Sequence, residues 1–491
     1  FPHHFNQHGY WGVDYPTSTY ELPERSYLQV SNRDQGFMFY TRDAAPRYMV
    51  ITSFELIPGF EIRSVNPYED EIDGELVRIQ SNQVVYNKPG ERTTLDPVRL
   101  APYAGPWTAG VDICRKDRAT DDPSTAPAWL REPLTWWKVG IGSGDDLLRY
   151  ARQAAGQGVG VLQVRGWYRG TDAGRIEQVA GLDEAIAACR ELGVRVVLET
   201  NWYEVNTHMK AYAGKYEPFV MKDPFGWAYN RSLLCPLAPE FQQIVKREWL
   251  SLPALRAADG YLNNDPNHRD KTFFCFDEKH GHRAGEATAN GVLKLDREIA
   301  EAVKADGAKA ALGFGFLDSQ QAFYDGYSLN ASEGEWAKRR YLDPFTPVIA
   351  RAEVRRARRD MNQALLNRFN IAFDLNFHGS QLKDYPHIAE YGRRIKALRE
   401  RYAAELWNAE FVERQGAQVN GPDLSYSVFA GRNGKRAVVV VNMGTERASK
   451  AEVTLPGASA MAYASPEDPA QKTFGGSVEI APQSAVVIFE K

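Results

Sequence analysis

Apolar and polar positions change their rhythm twice along this chain, and the two changes divide it into three parts. Up to residue 110, short runs alternate apolar with polar positions or carry β-branched residues, at 26–30, 36–40, 48–55, 75–79 and 83–86. Clusters of Pro, Gly, Asn and Asp separate them. Alternation with period two, broken by turn formers, predicts successive short strands and an antiparallel β-domain over residues 1–110. From 111 to 404 short apolar runs alternate with helical patterns, and eight such runs can be counted, at 136–141, 160–164, 195–199, 260–263, 310–314, 326–329, 346–350 and 370–374. Between them lie stretches such as 182–192, apolar at i, i+3 and i+4 and stopped by Gly193. Eight β–α units predict an α/β fold, a (β/α)8 TIM barrel. A doubly wound open sheet is the alternative, but no Gly-rich nucleotide loop follows an early strand. After a charged helix ending near Trp407, residues 405–491 return to alternation, at 426–429, 437–442, 451–455, 477–480 and 485–489. Asn-Gly and Pro-Gly turns separate these runs, and the expectation is a C-terminal β-sandwich.

Composition narrows the function classes. Of 491 residues, 43% are hydrophobic and 25% charged, which excludes a mostly disordered chain. The net charge of −4 provides no global field for nucleic acid or an anionic membrane. No apolar run approaches the roughly 18 residues of a membrane span. Aromatic residues reach 12%, and flat aromatic faces suit sugar rings as well as cores. The four cysteines (Cys114, Cys189, Cys235 and Cys275) are widely spaced, without a C-x-x-C pair, and make no disulfide scaffold. The chain begins with Phe1, consistent with removal of a leader or a larger N-terminal piece, and a periplasmic or secreted location is expected.

Barrel enzymes carry their chemistry at the C-terminal strand ends and in the loops beyond them. At those positions stand Asp145; Arg165, Trp167, Tyr168 and Asp172; Glu199, Asn201, Trp202 and Glu204; Asn263, Asn264 and Asp265; Asp318; Asn330, Glu333 and Glu335; and Asp374, Asn376 and His378. Asp145 and Asp172, each near a helix start, read as N-caps rather than catalysts. The rest is dominated by carboxylates, amides and aromatics, with no nucleophile elbow. Glycosidic cleavage needs two carboxylates, because one protonates the leaving oxygen while the other attacks or activates water. The fourth loop carries His268, Cys275, Asp277, His280 and His282. His280 and His282 could be metal ligands, but an H-x-H pair without a placed third ligand is weak evidence for a catalytic metal; sugar-subsite contacts, or groups that hold the loop in shape, are the preferred reading.

Several local signatures then combine: Gly105-Pro-Trp-Thr-Ala-Gly-Val-Asp-Ile113, Trp129-Leu-Arg-Glu-Pro133, Val164-Arg-Gly-Trp167, Asp259-Gly-Tyr-Leu-Asn-Asn-Asp265, Cys275 and His280-Gly-His282. Over residues 10–405 this set resembles a largely unannotated bacterial family of barrel glycosidase-like proteins, distantly similar to α-galactosidases and endo-α-N-acetylgalactosaminidases. The resemblance implies a nucleophilic Asp at the end of strand four and an acid/base from strand five or six. Two departures stand out. The family pattern wants a carboxylate where this chain has Asn264, with Asp265 one place later and therefore on the opposite face unless a bulge intervenes. Either Asp265 takes the role, or Asn264 is an inactivating replacement. A Glu is similarly expected near Gly315, and the nearest carboxylate is Asp318.

The expectation is a retaining glycoside hydrolase acting on an oligo- or polysaccharide. Asp265 or the Asn264 position would be the nucleophile and Asp318 the acid/base. Arg165, Trp167, Glu199, Asn201, Trp202, His280, His282 and Asn376 would contact substrate, and no cofactor or metal is needed. The alternatives are a degenerate barrel that binds glycans without cleaving them and a metal-dependent sugar isomerase or lyase.

Overall fold

The computed structural model describes residues 19–22, 27–31, 34–42, 50–57, 76–83, 87–118, 126–203, 205–264, 274–305, 308–314, 323–330, 336–375 and 381–491. Its centre is a closed, all-parallel barrel of eight strands: Thr135–Gly140, Val161–Arg165, Arg195–Thr200, Gly260–Asn263, Ala310–Phe314, Gly326–Asn330, Val348–Glu353 and Asn370–Asp374. We refer to them as barrel strands one to eight. Strand eight closes on strand one, with Ile371 opposite Thr135 and Asp374 opposite Lys138. All eight runs expected from the sequence become barrel strands. The helix expected at 182–192 spans Leu182–Glu191, and Gly193 follows it at φ 73°, a left-handed position suited to glycine.

Period-two alternation sorts the strand residues into two cores. Facing inward, Trp136, Val161, Val197, Leu262, Ala310, Leu312, Ile349 and Ala372 pack as one buried cluster, with Trp129 and Leu130 adding to it. The alternate positions, among them Trp137, Val139, Val164, Leu198, Tyr261, Tyr327 and Phe373, belong to the larger core between barrel and helices. Helices with one apolar face cover that layer, such as Gly144–Gly156, which buries Leu147, Ala151 and Ala154.

Buried polar groups at the N-terminal strand ends tie the bottom of the barrel. Asp259 accepts the Val196 N–H at 2.9 Å, and Asp325 accepts the Ala311 N–H at 2.9 Å and pairs with Lys304 at 2.7 Å. Arg340 donates to the carbonyls of Asp343, Pro344, Thr346 and Asn367. The two carboxylates satisfy strand N–H groups, and Arg340 satisfies loop carbonyls, that would otherwise be buried unpaired.

The flanking sheets are antiparallel. On the N-terminal side, Tyr27–Ser31, Gln35–Thr41 and Val98–Ala104 form one sheet, and Thr19–Leu22, Val50–Ile57 and Leu76–Gln83 another. The strand expected at 83–86 is not separate: Gln83 ends the 76–83 strand, and 84–86 lie outside the described residues. The strands at 19–22 and 98–104 were not anticipated. The second shows little alternation, since Val98, Arg99, Leu100, Pro102 and Ala104 are all exposed.

On the C-terminal side a six-stranded sheet stacks on a three-stranded one. The strand Arg436–Asn442 is apolar at five consecutive positions because both its faces are covered. Val438 and Val440 face the sandwich interior, whereas Ala437, Val439 and Val441 join the barrel's outer core. Ser427 Oγ donates to the Leu366 carbonyl at 2.6 Å, and the Tyr402 and Phe489 rings lie 4.4 Å apart across this junction.

Among the described residues, Trp136 is the largest strand-borne side chain plugging the barrel interior. Trp136→Ala is expected to cost about 3–5 kcal/mol, read as a lowered thermal unfolding midpoint, with Trp136→Phe losing less. An unchanged midpoint for the alanine variant would remove Trp136 from the interior core.

Candidate functional site

Moving two residues up each barrel strand carries the inward face from apolar to polar. Beyond Trp136 stands Lys138, beyond Val161 Gln163, beyond Val197 Glu199, and beyond Leu262 Asn264. On the opposite wall, Phe314, Arg351 and Asp374 follow Leu312, Ile349 and Ala372 in the same way. The C-terminal mouth of the barrel is therefore lined by a polar set built on strands, the part of the fold that holds side chains most rigidly.

Glu199 is the hub of this set. Its Oε1 accepts from Asn264 Nδ2 at 2.7 Å and its Oε2 from Gln163 Nε2 at 2.8 Å. The Lys138 ammonium lies 3.5 Å from Oε2. Its own carbonyl accepts from the Trp167 indole N–H at 2.7 Å, which locks strands two and three together at the rim. Burial alone would push the Glu199 carboxyl up. The Lys138 charge and the hydrogen bonds from Gln163, Asn264 and Lys138 outweigh it, so Glu199 titrates below the ordinary value of 4.5. It is a fixed anion near neutral pH, with 11% of its side chain open at the mouth. Across the barrel, Asp374 pairs with Arg351 at 3.5 Å, and the Arg351 guanidinium lies over the Phe314 ring at 4.8 Å. Arg165, exposed at the end of strand two, makes no ion pair with a described residue.

The Asn263–Asn264 pair shows the alternation directly. Asn263 faces outward and donates to Asp296 at 3.1 Å and to Tyr324 at 3.2 Å, while Asn264 faces in. Asp296 is fully buried behind strand four, pushed up to about 7 by that burial, and also accepts from Tyr203 at 2.8 Å. It therefore takes no part in the mouth.

Several residues expected at subsites stand elsewhere. Trp167 and Trp202 are 0% and 2% exposed, packed edge-on against Trp249, so neither offers a face to a sugar. Asn201 accepts from the Tyr203 N–H and, with Trp202, walls a cavity of about 180 Å³ beside the helix Pro239–Leu250, outside the barrel. His280 and His282 have both ring nitrogens engaged within the protein, near Cys275 and Cys235, and neither is turned to the mouth set. The N-cap reading of Asp145 and Asp172 is also corrected. Ser143 caps the first barrel helix, Asp145 lies within its first turn, and Asp172 is an exposed partner of Lys210 at 3.1 Å. Asp265, Asp318, Asn376, Glu204, Glu333, Glu335, His268 and His378, together with the side chain of Asn330, lie outside the described residues.

Lys138 and Gln163 escaped sequence reasoning because they lie inside runs read as strand interior. Their signal was a polar residue two places after an inward apolar one, close to a strand end. The exposed aromatics are also new. Phe225 and Trp227, 84% and 74% exposed, project from a tight turn in the loop after strand three. In that turn Asp223 accepts the N–H groups of Phe225 and Trp227 at 2.9 and 2.8 Å. Tyr229 and Phe274 lie nearby in the fold, joined by a hydrogen bond from the Tyr229 hydroxyl to the Phe274 carbonyl at 3.1 Å.

No family model and no curated protein matches the chain. Solved structures do. A GH36 α-galactosidase variant from Geobacillus stearothermophilus, bound to 1-deoxygalactonojirimycin, superposes with a TM-score of 0.63 at 11% identity, over 96% of this chain and 71% of that one. The fold is shared with GH36 α-galactosidases. The galactosidase domain of an α-galactosidase–sucrose kinase superposes equally well, with a TM-score of 0.63, 13% identity, and coverage of 97% and 70%. A cycloalternan-degrading enzyme from Trueperella pyogenes follows at 0.53 and 12%, over 95% and 70%. This GH36-like architecture, an antiparallel β-domain, a barrel and a C-terminal β-domain, is the arrangement in which the mouth set is held.

Because Glu199 titrates below its unfolded value, it stabilises the fold above about pH 4.5, and that stability is lost as pH falls through its lower folded pKa. Removing the cation by Lys138→Met leaves burial less opposed and raises the folded pKa. The variant's thermal midpoint, compared with the parent's, is then expected to show a deficit that widens from about pH 4 to about pH 7. A deficit independent of pH would mean that Lys138 does not hold the charge of Glu199.

Proposed function

We propose that this chain is a glycoside hydrolase that cleaves a glycosidic bond in an oligo- or polysaccharide by a two-carboxylate, retaining mechanism. The observation that carries the reading is Glu199, an ionised carboxylate fixed by three neighbouring strands at the mouth of a GH36-like barrel. An oxocarbenium-like transition state develops positive charge at the anomeric carbon, and a preorganised anion there stabilises it without reorganising. A carboxyl held below its ordinary pKa cannot serve as the general acid, so the proton must come from a second group, and Asp318 is assigned that role. Asp265 is assigned the attack on the anomeric carbon, with Glu199 as the neighbouring anion. Arg165 is the hydroxyl-reading cation of the rim. Phe225 and Trp227 supply the apolar faces for sugar rings that the buried Trp167 and Trp202 cannot.

One observation favours a second reading. Asn264, where the family pattern wants a carboxylate, is an amide that donates to Glu199. A barrel with that replacement and no working Asp265 would bind glycans without cleaving them.

Glu199→Gln keeps the shape and removes the charge. It is expected to lower kcat/KM on a cleaved glycan by about 10²–10³-fold, and to lower the thermal midpoint at neutral pH as well, because the buried Lys138 loses its anion. Asp265→Asn and Asp318→Asn should each abolish most turnover. No bond cleavage by the parent or by Asn264→Asp, with glycan binding retained, would establish the binding-only reading. Trp227→Ala is expected to raise KM with kcat nearly unchanged, as loss of a remote ring contact does; an unaltered KM would take Trp227 out of the substrate path.

A further inference from the structure

The loops after barrel strands three and four meet at four side chains that the proposed chemistry does not use. One donor atom from each of Cys235, Cys275, His280 and His282 lies within 4.8 Å of the others. Cys235 Sγ is 3.2 Å from His282 Nε2, and Cys275 Sγ is 3.3 Å from His280 Nδ1. Both cysteines are free and fully buried, and His280 is 4% exposed.

Hydrogen bonding on the far side of each ring fixes its proton. His280 Nε2 lies 2.8 Å from the Pro218 carbonyl and His282 Nδ1 lies 2.8 Å from the Arg283 carbonyl. A carbonyl can only accept, so those nitrogens carry N–H. The nitrogens facing the sulfurs, His280 Nδ1 and His282 Nε2, are then bare lone pairs. This is how protein histidines are oriented toward a metal, with the second nitrogen donating to a backbone carbonyl.

We propose that Cys235, Cys275, His280 and His282 form a closed, four-coordinate structural site for Zn²⁺. Zinc bonds of about 2.0–2.3 Å to nitrogen and sulfur separate tetrahedral donors by roughly 3.4–3.8 Å, so small adjustments bring this cluster to that geometry. Binding releases the two thiol protons to solvent. Two thiolates then neutralise the divalent ion while both imidazoles stay neutral, leaving no net charge in a buried place. Two S–H···N hydrogen bonds would account for each Cys–His pair separately, but not for the convergence of both pairs on one point. With all four positions filled by protein, the site has no opening for water or substrate. Its role is to hold the fold.

The surrounding chain is shaped for this. Gly281 sits at φ 76° between the two histidines, so the backbone reverses and brings their rings to 5.6 Å. Asp277 caps the short turn Glu278–His280 and pairs with Lys222 at 2.5 Å. The Phe276 N–H donates to the Lys222 carbonyl at 2.9 Å, and the Cys235 N–H to the Phe219 carbonyl at 2.8 Å. The ion would pin the loop bearing Phe225, Trp227 and Tyr229 to the loop bearing Phe274.

The test uses the full chain purified without chelator from zinc-supplemented medium, with metal counted by mass spectrometry. About one zinc per chain is expected, as for a closed four-ligand site. It should be lost in Cys275→Ala and in His282→Ala and kept in Cys189→Ala, whose thiol is buried elsewhere. Exchange with Co²⁺ should give the visible and thiolate charge-transfer bands of a tetrahedral site. Chelation should lower the thermal midpoint, and Zn²⁺ but not Mg²⁺ should restore it. If Cys275→Ala does not fold, His282→Ala and the cobalt spectrum of the unmodified chain decide the question. Less than about a tenth of an ion per chain with no cobalt bands overturns the proposal, and so does a Cys235–Cys275 disulfide in a non-reduced peptide map.

Discussion

Burying one negative charge at the mouth of a closed barrel is the constraint around which the site is arranged. Glu199 lies where strand three leaves the apolar interior, and an isolated carboxylate there would protonate rather than remain charged. Its charge survives because strands one, two and four each contribute a donor: Lys138, Gln163 and Asn264. None of the three can be placed without the barrel, since each is two residues beyond an inward apolar side chain and reaches the mouth only through closure and alternation. The same closure makes the opposite face a structural seal, where Asp259, Asp325 and Arg340 satisfy backbone groups. The polar mouth and the structural seal thus occupy opposite ends of one set of strands.

Much of the architecture was legible in the sequence because the strands are long enough to show their period. All eight barrel runs and most of the sandwich strands announce themselves as short apolar segments between turn formers. The N-terminal strand at 98–104 does not, because Val98 and Leu100 lie on an exposed face where alternation carries no information. The site was legible in position but not in orientation. Glu199 and Arg165 stand at strand ends as expected. Trp167 and Trp202 also follow strand ends, yet they turn outward into the layer beneath the helices, a direction that tertiary packing sets.

The Cys235–Cys275–His280–His282 cluster illustrates the same limit. The H-x-H pair was visible, but its partners come from opposite sides of strand four, with Cys235 in the loop before it and Cys275 in the loop after it. Spacing rules for metal ligands work within one short segment. They cannot see ligands brought together by a parallel β–α crossover. The loops bearing the cysteines and histidines thus owe their placement to long-range contacts, whereas the polar positions at the barrel mouth follow from alternation within the strands.

A sugar that binds and reacts at the mouth around Glu199 should be visible there. A crystal structure of the Glu199→Gln or Asp318→Asn protein soaked with a cleaved oligosaccharide tests this most directly. The expected result is a sugar ring at the barrel mouth, with its anomeric carbon facing residue 199 and residue 265 and its neighbouring ring against Trp227. A sugar bound only on the exposed Phe225 and Trp227 turn, or in the cavity beside Asn201 with the mouth unvisited, would contradict it.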